Sequence, residues 1–159
     1  NLVSMRTGRR LAIDVGKVRI GLAVSDLHGI LASGLSTVAR SKDTDSTIQS
    51  IIREIEDFEV IEAYVGLPVS MRGTETASTS DALLIARELA RILTCDVRLI
   101  DERLSTVAAS RALISSGRNT KNSRSIVDQV AATVILEQAM EQEKSTGKQP
   151  GKAMGEIDE

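Results

Sequence analysis

The chain has 159 residues, 42% of them apolar, enough for one domain with a substantial core, and only 1% are aromatic, so that core must be built from Val, Ile, Leu and Ala. Scarce aromatics exclude base stacking as the main way of holding unpaired nucleotides, and a formal net charge of −2 leaves no global basic field to attract nucleic acid. The single Cys95 excludes a disulfide framework and a cysteine-based zinc cage.

Asn1 to Gly8 carry no element pattern and are expected to form a flexible N-terminus. "RRLAIDVG" predicts a strand over 9–14 and "RIGLAVSD" a second over 19–25, joined by a short Gly16-containing connection that favours an antiparallel hairpin. "GILASGLSTVAR" (29–40) predicts a third strand, with Gly34 bulging or weakening its middle. The period then changes. Ile48, Ile51, Ile52 and Ile55 share a helical face behind a Thr/Asp cap. "IEAYVGLP" (61–68) predicts a buried strand, 78–93 a helix with Ala82, Ile85, Ala86, Leu89 and Leu93 in register, and 96–100 a fifth strand ending on Asp101 and Glu102. Helices over about 105–115 and 124–141 follow, separated by the loop "SGRNTKNSR". Residues 143–159 gather Gly, Pro and charge and are expected to be a disordered tail, which leaves one domain over 9–142.

An antiparallel meander followed by two right-handed β-α-β crossovers gives an α/β fold: a mixed five-stranded sheet with helices on both faces, the ribonuclease-H-like arrangement. Ligands of such sheets sit beyond the carboxyl ends of the parallel strands. Asp14 ends strand one and Asp101 and Glu102 end strand five, while Asp128 falls in the first turn of the last predicted helix, beside its sheet-facing stripe. Carboxylates gathered in one place repel each other and are costly to desolvate unless a cation joins them. Oxygen donors of this kind suit Mg²⁺, and a pair of such ions can hydrolyse a phosphodiester. The lone His28 builds neither a zinc triad nor a Ser-His-Asp set.

Each acid also has a plainer reading. Asp before a turn glycine is ordinary turn chemistry, Asp101 and Glu102 can be a solvated strand end or pair with Arg103, and Ser125 to Asp128 fits the S-x-x-[DE] capping box. Placement of all three on one edge is what lifts them above those readings. Lys17 and Arg19 in the first hairpin, and Arg118, Lys121 and Arg124 before the last helix, are candidate phosphate contacts near the same edge. "GLPVSMRGTET" is a turn-rich loop at that edge too, and nothing marks Cys95 as a nucleophile.

Four ordered segments, "AIDVGKVRIGLAVSD", "VGLPVSMRGTET", "DERLSTVAASRAL" and "VDQVAATVILEQAM", make residues 9–141 resemble the YqgF-type (RuvX-like) family of ribonuclease-H-like proteins, described as Holliday junction resolvases and pre-16S ribosomal RNA nucleases. The strand pattern leaves Asp101 and Glu102 open, and the family pattern favours Glu102. The resemblance implies Asp14, Glu102 and Asp128 as catalytic metal ligands for Mg²⁺ or Mn²⁺, and Lys17, Arg19, Arg103, Arg118, Lys121 and Arg124 as nucleic-acid contacts. This chain departs from the family with Lys17-Val18-Arg19 where Thr-Lys-Arg is usual, and with Ser105 for Thr. The implied activity is a divalent-metal-dependent endonuclease acting on structured nucleic acid, either the 5′ end of pre-16S ribosomal RNA or a four-way DNA junction. Two related cuts in a junction would call for a homodimer. The alternative is a non-catalytic nucleic-acid-binding or ribosome-associated module of the same fold. An actin-like phosphotransferase would need a second lobe for which 159 residues leave no room. No apolar run is long enough to span a membrane and no secretory leader pattern opens the chain, so the expected location is cytoplasmic.

Overall fold

A computed structural model describes residues 5–68, 75–102 and 121–157, without the side chains of 121–126 and 156–157. Strands β1 (Arg9–Val15), β2 (Arg19–Ser25) and β3 (Ala32–Ala39) form the meander. Helix α1 (Thr44–Ile55), strand β4 (Val60–Leu67), helix α2 (Ala77–Ile92) and strand β5 (Asp96–Asp101) supply the crossovers. Helix α3 (Lys121–Thr146), the short strand β6 (Lys152–Ala153) and a last turn α4 (Met154–Ile157) complete the chain. The sheet order is β3-β2-β1-β4-β5-β6, with β1 parallel to β4, β4 parallel to β5, and the remaining pairs antiparallel. This is the mixed ribonuclease-H-like sheet that the element order implies, with six strands where five were expected.

Local chemistry sets the elements. Asp43 caps α1 by accepting from the Asp45 N–H, and Thr76 and Thr79 form a reciprocal capping box at the start of α2. The helix-period residues Ile48, Ile51, Ile55, Ile85 and Leu89 then lie buried against the branched aliphatic side chains of Leu11, Ile13, Ile20 and Leu22. On the opposite face the residues are small. Ala12 and Ala23 meet Ala131, Ala132, Ile135 and Ala139 of α3. Glycines bring that helix closer still: a Cβ at Gly21 would stand 2.2 Å from the carbonyl oxygen of Asp128, and one at Gly34 would stand 2.8 Å from the Gln129 amide oxygen. Gly21 and Gly34 therefore fix how near α3 can lie over β2 and β3.

Three expectations change. The described part of the N-terminus is anchored, because Arg6 pairs with Glu62 and Glu143 and the Gly8 N–H donates to the Leu27 carbonyl. The segment expected to be a disordered tail continues α3 to Thr146, and its Lys152 and Ala153 pair with Leu99 and Arg98. Its charged and polar residues do not build a core, but Arg98 donates to the carbonyls of Pro150 and Gly151 and holds the segment on the sheet edge. Finally, α3 begins at Lys121 rather than 124, so Asp128 is about two turns inside it and cannot be a helix cap. The predicted helix over 105–115 lies outside the described residues. No helix among the described residues is long and apolar enough to cross a membrane.

Candidate active site at the strand ends

Strand alternation decides which side chains share a face. In β1, Leu11 and Ile13 belong to the core under α1 and α2, and Ala12 to the core under α3, so Asp14 falls on the α3 side. Its side is nearly closed to solvent, with Asp14 3% exposed at the carboxyl end of the central strand. In β5, Val97 and Leu99 face α1 and α2 while Ile100 faces α3. The same alternation sends Glu102 toward α3 and Asp101 away from it. Direct geometry agrees, because the Glu102 carboxyl carbon lies 3.3 Å from where a Cβ of Gly66 would stand, next to Ile135 of α3. The structure thus separates two acids that the sequence pattern alone could not.

Asp128 approaches from above. Its backbone rests on Gly21, and Gly21 is the cross-strand partner of Asp14 in the β1–β2 ladder. One glycine therefore links the two acids: its missing side chain lets the α3 backbone settle beside the strand that carries Asp14. Gly66 leaves room instead for the Ile135 side chain of α3 and the Glu102 carboxyl beside it. The sequence signal for both was a glycine inside an otherwise apolar strand, which marks close approach of another element.

The half-buried Asp128 carboxylate accepts a hydrogen bond from Arg19 Nε at 2.9 Å. Arg19, expected as a phosphate contact, is thus engaged with one of the acids. It is set by a tight turn in which the Gly16 N–H donates to the Arg19 carbonyl at 3.0 Å, and a Cβ at Gly16 would stand 2.5 Å from that oxygen. Arg40 braces the turn: its N–H donates to the Val18 carbonyl, its guanidinium donates to the Gly16 carbonyl, and it pairs with Asp81 of α2. Sequence reasoning missed this Arg40–Asp81 brace, whose partners are 41 residues apart and carry no shared motif. Lys17 is exposed at the turn tip. Lys121 and Arg124 belong to the first turns of α3, whereas Arg103 and Arg118 lie outside the described residues, as do residues 69–74 of the loop after β4.

Among the described residues no three carboxylate, imidazole or thiol groups converge closely enough to hold a metal ion as they stand. Asp14 and Glu102 share one face at the ends of β1 and β5, and Asp128 is turned to Arg19. A hard cation such as Mg²⁺ commonly uses only one or two protein carboxylates and completes its shell with water and phosphate. An all-carboxylate donor set suits that chemistry, and it does not suit zinc, which favours His and Cys.

The family model described as RuvX, Holliday junction resolvase, matches residues 8–142. A protein of Leifsonia xyli subsp. xyli named "Putative pre-16S rRNA nuclease" is 52% identical over 147 residues, covering 92% of this chain and 94% of its own length. A protein of the same name from Streptomyces avermitilis is 44% identical over 153 residues, covering 96% of this chain and 97% of its own. Among solved structures, T. thermophilus RuvC in complex with Holliday junction substrate aligns with a TM-score of 0.55 at 17% identity, over 90% of this chain and 99% of that one. At that identity the likeness is one of fold, and it agrees with the ribonuclease-H-like sheet. With the family model spanning nearly the whole folded part and relatives this similar along their full length, the chain belongs to the RuvX family.

Proposed function

We propose that this chain is a divalent-metal-dependent endonuclease that trims the 5′ end of pre-16S ribosomal RNA, with Asp14, Glu102 and Asp128 as its catalytic carboxylates. The observation that carries this reading is the shared face of Asp14 and Glu102 at the ends of β1 and β5, the strands on either side of β4, with both acids on the side of α3, the helix that bears Asp128. The names of the relatives favour the RNA substrate. The description of the family model favours a four-way DNA junction as a second substrate, for which two symmetric cuts would require a homodimer.

Asp14 would be the fixed ligand, because its strand is central and it is buried. Glu102, at the end of β5, would close the other side. Asp128 would join on giving up Arg19. What Mg²⁺ or Mn²⁺ supplies in such a site is Lewis acidity, which activates water and offsets charge on the phosphate. The chain's own cations hold the strand to be cut: Lys17 at the hairpin tip, with Lys121 and Arg124 at the start of α3, where the helix N-terminus adds partial positive charge. Arg103 and Arg118 are proposed as further phosphate contacts.

The test is incubation with Mn²⁺ or Mg²⁺ and two labelled substrates, a precursor ribosomal RNA fragment with its 5′ leader and a synthetic four-way DNA junction. Cleavage of the RNA, lost in Asp14→Asn and in chelator, is the expected result. Binding of the RNA without cleavage would instead identify a non-catalytic module.

A further inference from the structure

Arg19 stands where its charge serves an acid rather than open solvent. Its Nε–H bond to Asp128 Oδ2 is the one bond either side chain makes among the described residues, and the two side chains are 32% and 16% exposed. The backbone beneath it is rigid. The Gly16–Arg19 turn, the Ala39 strand pairing and the Arg40–Asp81 brace leave the side chain as the part that can move. On the other side, Asp128 is fixed by the contact of its backbone with Gly21. Two rigid supports therefore present a guanidinium and a carboxylate to each other at a partly solvated edge, where an ion pair is weakly held and readily exchanged.

We propose that Arg19 is a built-in counter-ion that competes with the divalent cation for Asp128. This inference rests on the reading of Asp14, Glu102 and Asp128 as a metal site. Without the cation, Arg19 offsets the repulsion that Asp128 would bring to Asp14 and Glu102. When the cation binds, the doubly charged ion displaces the guanidinium from the carboxylate. Arg19 then keeps all its N–H donors for a phosphate beside the site, to which a guanidinium fork is well matched. Arg19 is thus a positioning residue, acting through Asp128. It also accounts for the lack of three convergent donors among the described residues.

The test is Mn²⁺ affinity, measured by calorimetry on the intact chain without nucleic acid. Arg19→Gln should bind Mn²⁺ about fivefold to tenfold tighter than wild type, because the competitor is gone. Arg19→Lys should return close to wild type, since an ammonium keeps the counter-charge. Lys17→Gln removes the same charge from the same turn without touching Asp128, and should stay within about twofold. The gain from Arg19→Gln should vanish when Asp128→Asn is added. In the wild-type chain, the Arg19 Nε–H NMR signal should lose its hydrogen-bonded shift as Mg²⁺ is added, a readout independent of how the variants fold. Unchanged or weaker Mn²⁺ binding in Arg19→Gln, an equal gain in Lys17→Gln, or an Nε–H signal indifferent to Mg²⁺ would overturn the proposal. If Asp14→Asn binds Mn²⁺ as wild type does, the metal-site reading itself has failed, which is a separate result.

Discussion

Two groups of buried charge lie on the same side of the sheet, under the two ends of α3, and they are built differently. Beneath its C-terminal end, Glu143 accepts from Arg6 and Arg10, Arg6 also reaches Glu62, and Tyr64 donates to Glu62 at 2.8 Å. Two guanidinium groups face two carboxylates there, and the partners come from three distant segments: the N-terminal stretch, β4 and the end of α3. The pairing shows in the proton affinities. Hydrogen bonds to Glu143, then to Glu62, raise Arg6 above its ordinary value, and burial followed by the Glu62 charge pushes the Tyr64 phenol up. Beneath the other end of α3, Asp14 and Glu102 share a face, and Arg19 bonds to Asp128. Balanced buried charge repays its desolvation and fastens chain ends, whereas carboxylates gathered at one edge repel one another and suit a cation. One end is suited to holding the fold and the other to binding something.

The sharpest break in that comparison is the largest effect. Asp14→Asn should lower cleavage by about 1,000-fold, the size expected when a key electrostatic group at a reacting centre is lost. Its thermal midpoint should stay unchanged or rise, because a repulsive buried carboxylate has been removed. A clear loss of stability in Asp14→Asn would mean that this end also holds the fold, and the contrast would collapse. Glu143→Ala should do the reverse. Breaking a buried ion pair leaves Arg10 without its carboxylate and should cost about 3 kcal/mol in denaturant unfolding. Cleavage per folded molecule should not change.

Gly21→Ala sharpens the comparison because it touches both properties. The new methyl would meet the Asp128 carbonyl and push α3 off β2. Overpacking of this kind should cost about 2 kcal/mol, with part of the cleavage activity lost as Asp128 moves away from Asp14. Gly34→Ala is the control: it presses on Gln129, a flexible side chain, so it should cost less and leave activity alone. Equal effects from the two would show that Gly21 matters only for packing.

How much of this was legible from sequence differs between the two ends. The strand and helix periods of Leu11–Ile13, Ile48–Ile55 and Ala82–Leu89 belong to short-range patterning, and the elements form where those patterns end. The acids at the strand ends were equally visible, because strand order fixes which termini share an edge. Asp101 and Glu102 stayed ambiguous because a strand buried on both faces has no polar side to set its phase; the approach of Glu102 to Gly66 resolves it. The anchoring network was invisible for another reason. Arg6, Arg10, Glu62 and Glu143 are scattered over 137 positions and look like ordinary surface charge until the fold brings them together. The same holds for Arg40 and Asp81. The C-terminal segment has the composition of a solvated tail, while its order comes from its pairing with β5, the carbonyl bonds from Arg98 and the burial of Met154.

The smallest effect is a dependence on pH that should belong to the anchoring end. Burial pushes Glu143 up, but hydrogen bonds from Arg6 and the Arg10 charge outweigh it and hold the carboxyl below its ordinary value of 4.5. A carboxyl held low in the folded state binds protons less readily there than in the unfolded chain. Its contribution to stability is therefore present above the ordinary value and is lost as pH falls through the folded one. Glu143→Gln keeps the shape of the side chain and removes its charge. The gap in unfolding free energy between wild type and Glu143→Gln should be about 1 kcal/mol at pH 7, typical of the charged part of such a hydrogen bond, and should close on acidification below the folded-state value. Asp26 is also held low, chiefly by the Leu31 N–H, but it is intact in both proteins, so its contribution cancels in the difference. A gap that persists unchanged into acid would mean that shape rather than charge ties Glu143 to Arg6 and Arg10, and that the two ends of α3 differ less in their electrostatics than in their packing.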